Sequence, residues 1–122
     1  MQKNLVSIVM PAFNSEEYLD ISIKSVINQT YKNWELLIVN DSSWDGTQDI
    51  LNKYANLDSR IKIFNNKETL GAAKSRDFAF SVAEGRFIAF LDSDDFWITT
   101  KLEKQLKFMI DNNYSFTYSY YN

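Results

Sequence analysis

The strongest restriction on the fold is a short apolar run with no polar face. Leu36-Leu37-Ile38-Val39 is apolar at every position and stops at Asn40-Asp41-Ser42-Ser43. Side chains of a strand alternate between its two faces, so this run is stable only when both faces are covered, as in the central strand of a parallel sheet. Parallel neighbours need a crossover, usually a helix, and the sequence supplies crossovers. Residues 5–10, 34–39, 61–64, 86–91 and 114–120 read as strands. Between them Leu19, Ile23, Val26 and Ile27 share one helical face, as do Ile50, Leu51 and Tyr54, then Ala72, Ala79, Val82 and Ala83, then Leu102, Leu106, Met109 and Ile110. Asn14 or Ser15 is expected to cap the first helix, Thr100 and Glu103 to form a capping box on the fourth, and Gly85 to stop the third. The order βαβαβαβαβ specifies an α/β fold with a Rossmann-like, mainly parallel sheet and helices on both faces, as one domain over residues 1–122. Such sheets often continue, so the chain is expected to be a truncated part of a longer protein.

Composition removes several chemistries. The chain has no Cys and no His, which excludes disulfides, thiol nucleophiles, His-based triads and soft metal sites. Catalysis must rest on carboxylates, Lys, Arg, hydroxyls, backbone groups or a hard cation. A net charge of −3 gives no hint of a basic face, so nucleic acid is not an expected partner. Apolar runs fall far short of the roughly 20 residues that span a bilayer, and no leader is evident, so a cytoplasmic location is expected.

Ligands of open α/β sheets bind beyond the carboxyl ends of the strands. Strand one delivers Pro11-Ala12-Phe13-Asn14 there, strand two Asp41, strand three leads to Gly71 and Arg76, and strand four ends in Asp92-Ser93-Asp94-Asp95. In extended backbone Asp92 and Asp94 point the same way and repel, which calls for a proton or a cation beside them. Mg²⁺ or Mn²⁺, completed by diphosphate oxygens, suits an oxygen-only donor set. Simpler roles stay open: Asp94 or Asp95 as a helix cap or turn, Asp41 as a turn residue, Arg76 as a surface cation, Gly71 as a helix entry. Pro11 and Phe13 could wall a flat base or merely end a strand and fill the core. Trp34, Trp44 and Trp97 are expected to pack, with Trp97 supporting the acidic tip.

Four ordered blocks together resemble the family 2 glycosyltransferases of the GT-A fold: Val9-Met10-Pro11-Ala12-Phe13-Asn14, Asn40-Asp41-Ser42-Ser43-Trp44-Asp45-Gly46-Thr47, Gly71-Ala72-Ala73-Lys74-Ser75-Arg76-Asp77 and Phe90-Leu91-Asp92-Ser93-Asp94-Asp95-Phe96-Trp97. The resemblance implies an inverting transfer of sugar from a nucleotide diphosphate donor, usually a UDP-sugar, to an acceptor hydroxyl. It implies that Pro11, Ala12, Phe13 and Asp41 line the nucleoside pocket, with Gly71, Arg76 and Ser93 close to the donor. Asp92 would approach ribose and metal, and Asp94 would be the principal ligand. It further implies a glycan or lipid-linked acceptor, work at the inner membrane face, and a general base in an acceptor half beyond Asn122, so that this chain alone would be weakly active or inactive. Asn40, Thr69, Asp77 and Thr99 depart from residues common at their positions in the family. A sheet edge left open by the fifth strand is expected to favour self-association into a homo-oligomer. The alternatives are an inert nucleotide-binding or interaction module and a sugar-nucleotide pyrophosphorylase, though the latter's glycine-rich basic loop is not present after strand one.

Overall fold

The computed structural model describes residues 2–112. Along it run β1 (Gln2–Ala12), α1 (Leu19–Ile27), β2 (Trp34–Asn40), α2 (Thr47–Leu57), β3 (Ile61–Asn65), α3 (Ala72–Val82), β4 (Gly85–Phe90) and α4 (Lys101–Asp111). The expected fifth strand, 114–120, lies outside the described residues. The four strands form one sheet in the order β3-β2-β1-β4, and every pair is parallel. β2 is buried at each of its seven positions, as its lack of a polar face requires. The chain thus builds outward from β1 to β3 and then crosses back to set β4 on the other side of β1. The reversal puts a topological switch point between β1 and β4, where the crossovers diverge and leave a crevice at the strand ends.

Side-chain alternation divides the core between the two faces. Val6, Ile8, Met10, Leu36, Ile38, Phe87 and Ala89 meet α1, α2 and α4. Val9, Leu37, Val39, Ile88 and Phe90 meet α3 through Ala79 and the partly buried Val82. Helices therefore cover both faces, three on one and one on the other.

The helix ends differ from the sequence expectation. Asn14 and Ser15 cap nothing through their side chains; the main-chain oxygen of Ser15 receives the amides of Tyr18 and Leu19 instead. Thr100 occupies the N-cap of α4 without a capping bond, and the Leu102 amide donates to Gln29 Oε1 at 3.0 Å. On α3, Ala72 is exposed and Ser75 takes the buried place beside Ala79; Ile110 of α4 is exposed as well.

Gly85 does not stop α3; it begins β4. A Cβ there would lie 2.7 Å from the Leu5 carbonyl oxygen, 2.7 Å from the Ser7 nitrogen and 2.6 Å from Ser7 Oγ. Two of these are sheet backbone that cannot turn aside. Gly85→Ala is expected to cost about 2 kcal/mol, roughly 8 °C in Tm, in a thermal melt followed by circular dichroism.

Candidate functional site

The crevice at the switch point is a cleft of about 450 Å³ lined by Pro11, Ala12, Phe13, Asn14, Ser15, Glu17, Tyr18, Asp41, Ala72, Asp92, Ser93 and Asp94. It has the size of a small-molecule site. The loops after β1 and β2 form one wall and are fastened to each other. Asn14 takes a left-handed backbone (φ 47°), its amide donates to Ser43 Oγ at 2.9 Å, and its Oδ1 accepts the Trp44 amide at 3.0 Å. The Ser15 amide donates to Thr47 Oγ1 at 2.8 Å. Phe13 faces Trp44 edge-on with centroids 5.2 Å apart. Trp44 is 77% exposed, against the expectation that it packs, whereas Trp34 and Trp97 are in the core.

Asp41 follows β2 and is buried. Its Oδ1 accepts the Leu70 amide and Asn66 Nδ2, each at 2.8 Å, and its Oδ2 accepts the Gly71 amide at 2.9 Å. Burial pushes this carboxyl up, but the amides of Leu70 and Gly71 and the Asn66 side chain together hold it below the usual aspartate range. The carboxylate thus shapes the loop that leads into α3. Gly71 is part of that loop, with φ 96°, and Ala72 rather than Gly71 lines the cleft.

The opposite wall is the acidic tip after β4. The Asp95 amide donates to the Asp92 carbonyl at 3.0 Å, so residues 92–95 turn instead of running extended. The turn brings in a third acid: single carboxylate oxygens of Asp92, Asp94 and Asp95 lie within 4.8 Å of one another. Burial and the charges of Asp94 and Asp92 raise the carboxyl of Asp95. Oxygens bound to one small divalent ion sit at most about 4.2 Å apart, so slight closure would let these acids share one. The donor set, all carboxylate oxygen, fits a hard ion. Arg76 of α3 pairs with Asp92 at 3.3 Å, and its Nε finds no acceptor among the described residues. Arg76 borders a second, smaller hollow with Ala73, Asp77, Phe80 and Phe90, and meets the main cleft through Asp92.

The switch point therefore brings together Pro11, Ala12, Phe13, Asp41, Asp92, Ser93 and Asp94, with Arg76 at the margin. Glu17 and Tyr18, which no sequence motif singles out, also line the cleft. Tyr18 has its phenol raised by a hydrogen bond to Glu17 and by that carboxylate's charge.

The glycosyl transferase family 2 profile matches residues 7–121. The chain belongs to this family. Among family relatives, the Escherichia coli UDP-Glc:alpha-D-GlcNAc-diphosphoundecaprenol beta-1,3-glucosyltransferase WfgD is 50% identical over 99% of this chain and 47% of its own length. The putative teichuronic acid biosynthesis glycosyltransferase TuaG of Bacillus subtilis is 44% identical over 98% of this chain and 48% of its own. The chain therefore spans about half the length of these curated relatives. The crystal structure of S. aureus TarS 1–349 in complex with UDP-GlcNAc superposes with a TM-score of 0.84 at 31% identity, covering 88% of this chain and 32% of that one. The GT-A, Rossmann-like fold implied by the sequence is thereby established. Among the described residues no helix is long and apolar enough to cross a membrane.

Proposed function

We propose that this chain binds the donor for an inverting glycosyl transfer: a nucleoside diphosphate sugar, with uridine as the base, held in part through Mg²⁺ or Mn²⁺. The observation that carries the reading is the pairing of two unlike walls across one cleft, the Pro11–Phe13 and Asp41 side and the cluster of Asp92, Asp94 and Asp95. Pro11, Ala12 and Phe13 flank the base. Asp41 accepts three hydrogen bonds out of about four lone-pair sites, which leaves one on Oδ2 for a donor group of the nucleoside. Asp94 and Asp92 hold the ion, and Arg76 restrains Asp92. When bound, the ion neutralises charge that grows on the diphosphate as the sugar departs. The printed activity of WfgD and the UDP-GlcNAc complex of TarS support a UDP-sugar donor. A hydroxyl on a lipid-diphosphate-linked glycan is the proposed acceptor, which would put the work at the inner membrane face.

Calorimetric titration of UDP, GDP, CDP and UTP, each with Mn²⁺ and with EDTA, tests the reading. UDP is expected to bind about tenfold tighter with Mn²⁺, and Asp94→Ala is expected to abolish that gain. No nucleotide binding in either condition would leave an inert module. Metal-independent binding of nucleoside triphosphates would point to pyrophosphorylase chemistry.

A further inference from the structure

Helix α1 and the short segment after it bury polar residues. Ser22 and Gln29 are fully buried beside Leu19, Ile23 and Val26. A buried hydroxyl or amide is costly unless bonded, so their partners show what they are for. Ser22 from the helix, and Gln29 from just beyond its end, both reach the segment that follows β4. Ser22 Oγ lies 2.8 Å from the Ser93 carbonyl oxygen and in a shorter contact with the Asp95 carbonyl oxygen. Gln29 Nε2 donates to the Ile98 carbonyl at 2.7 Å. The Thr30 amide donates to the Thr99 carbonyl at 2.9 Å. Helix α1 and the residues just after it thus strap down the chain from the acidic tip to the start of α4.

Ser22 stands apart because of where its bonds fall. A hydroxyl has one proton. Here that proton is shared by the carbonyls on either side of Asp94, so both carbonyls must converge on a single point. The peptide units between them are thereby oriented, and they carry Asp94. From the other side Ser93 Oγ meets Ser15 Oγ at 2.6 Å. Three like charges at the tip repel one another and tend to open the turn, while the two carbonyls fastened to Ser22 keep it closed.

We propose that Ser22 is a positioning residue for the acidic tip: it holds the turn of residues 92–95 in its cation-gathering shape before any ligand arrives. The inference rests on reading that tip as the cation-holding part of the donor site. A group of this kind, one bond removed from the ligand set, typically changes metal affinity about 10- to 100-fold when removed. Among the described residues the Ser22 side chain bonds to none of Pro11, Ala12, Phe13 and Asp41, so its loss should leave nucleotide binding without metal as it is.

The test uses the full chain and two variants. Ser22→Ala deletes the donor; Ser22→Cys keeps nearly the same volume with a much weaker one. Mn²⁺ affinity is read from the free-ion electron paramagnetic resonance signal, and the UDP dissociation constant is measured with Mn²⁺ and with EDTA. Ser22→Ala is expected to weaken Mn²⁺ binding about tenfold and to shrink the EDTA-to-Mn²⁺ ratio of UDP constants by the same factor, while the EDTA value stays within about twofold. Ser22→Cys is expected to fall between Ser22→Ala and the parent. Unchanged Mn²⁺ affinity in both variants overturns the proposal. So does an equal loss of UDP binding in EDTA, which would mark a general packing role. A parent chain whose UDP affinity ignores Mn²⁺ overturns the donor-site reading itself, and that result is read before any variant is made.

Discussion

Glu35→Ala is expected to destabilise the chain by about 3 kcal/mol, a large part of the 5–15 kcal/mol that holds a typical domain together. Glu35 is the second residue of β2 and points to the α3 side of the sheet, where its side chain is only 5% exposed. Its Oε2 accepts Ser7 Oγ at 2.6 Å and the Glu84 amide at 2.8 Å, and its Oε1 accepts Lys62 Nζ at 3.1 Å. Ser7 Oγ accepts the Gly85 amide at 2.8 Å. One carboxylate therefore joins β1, β2, β3 and the entry to β4. Truncation leaves the Ser7 hydroxyl and the Glu84 amide without their acceptor in a buried place. Lys62 is 44% exposed and can turn to water, which keeps the loss at the lower end of what breaking a buried ion pair costs. Urea unfolding measures it, and a loss under about 1 kcal/mol would show that the four segments are held by packing alone.

The same carboxylate gives the fold a pH dependence of definite sign. Burial pushes Glu35 up, but the Ser7 hydroxyl, the Glu84 amide and Lys62 outweigh it and hold the group below the ordinary glutamate range. A folded-state pKa below the unfolded value of about 4.3 means that the group stabilises the fold above that value. The contribution is lost as pH falls from there through the folded pKa. Glu35→Gln cannot titrate. The stability gap between it and the parent is therefore expected to be full at neutral pH and to close below about pH 4.

How far the sequence discloses such features depends on whether they are local. Leu36-Leu37-Ile38-Val39 announces a covered central strand because pattern and burial are one property, and β2 is buried throughout. The switch point follows from strand order, and with it the meeting of Pro11, Asp41 and Asp92 at one rim. Local rules failed where a distant group does the local work. Thr100 looks like a cap, but Gln29, 73 residues before Leu102 in the chain, supplies the acceptor. Gly85 looks like a helix stop, but the constraint is the backbone of β1 against it. Asp92 and Asp94 do converge, yet through a turn that also enlists Asp95, which alternation along a strand cannot foresee. Ser22 did leave a trace: it is a polar residue inside the apolar face of α1, next to Ile23.

Asp41→Ala is expected to weaken UDP binding about 10- to 100-fold and to loosen the loop of residues 66–71. Each hydrogen bond to an ionised carboxylate contributes about 1.5–3 kcal/mol, and Asp41 accepts three of them from that loop. Gly71 is held at φ 96° there, and the turn sets Ala72 on the cleft wall and starts α3. Without the carboxylate, the Leu70 and Gly71 amides have only water to bond. Asp41→Asn separates charge from shape. Its single amide oxygen can accept from Leu70 and Asn66, but its NH₂ then faces the Gly71 amide, donor against donor. Asn is therefore expected to recover part of the loop's order and little of the affinity. Hydrogen exchange at the Leu70 and Gly71 amides reports the loop, and calorimetry with UDP reports the site. Fast exchange with unchanged UDP affinity would confine Asp41 to shaping the loop. Weakened affinity with exchange at the parent rate would assign it to the nucleoside alone. The proposed double role requires both to move in Asp41→Ala, because the carboxylate that fastens the loop also faces the cleft.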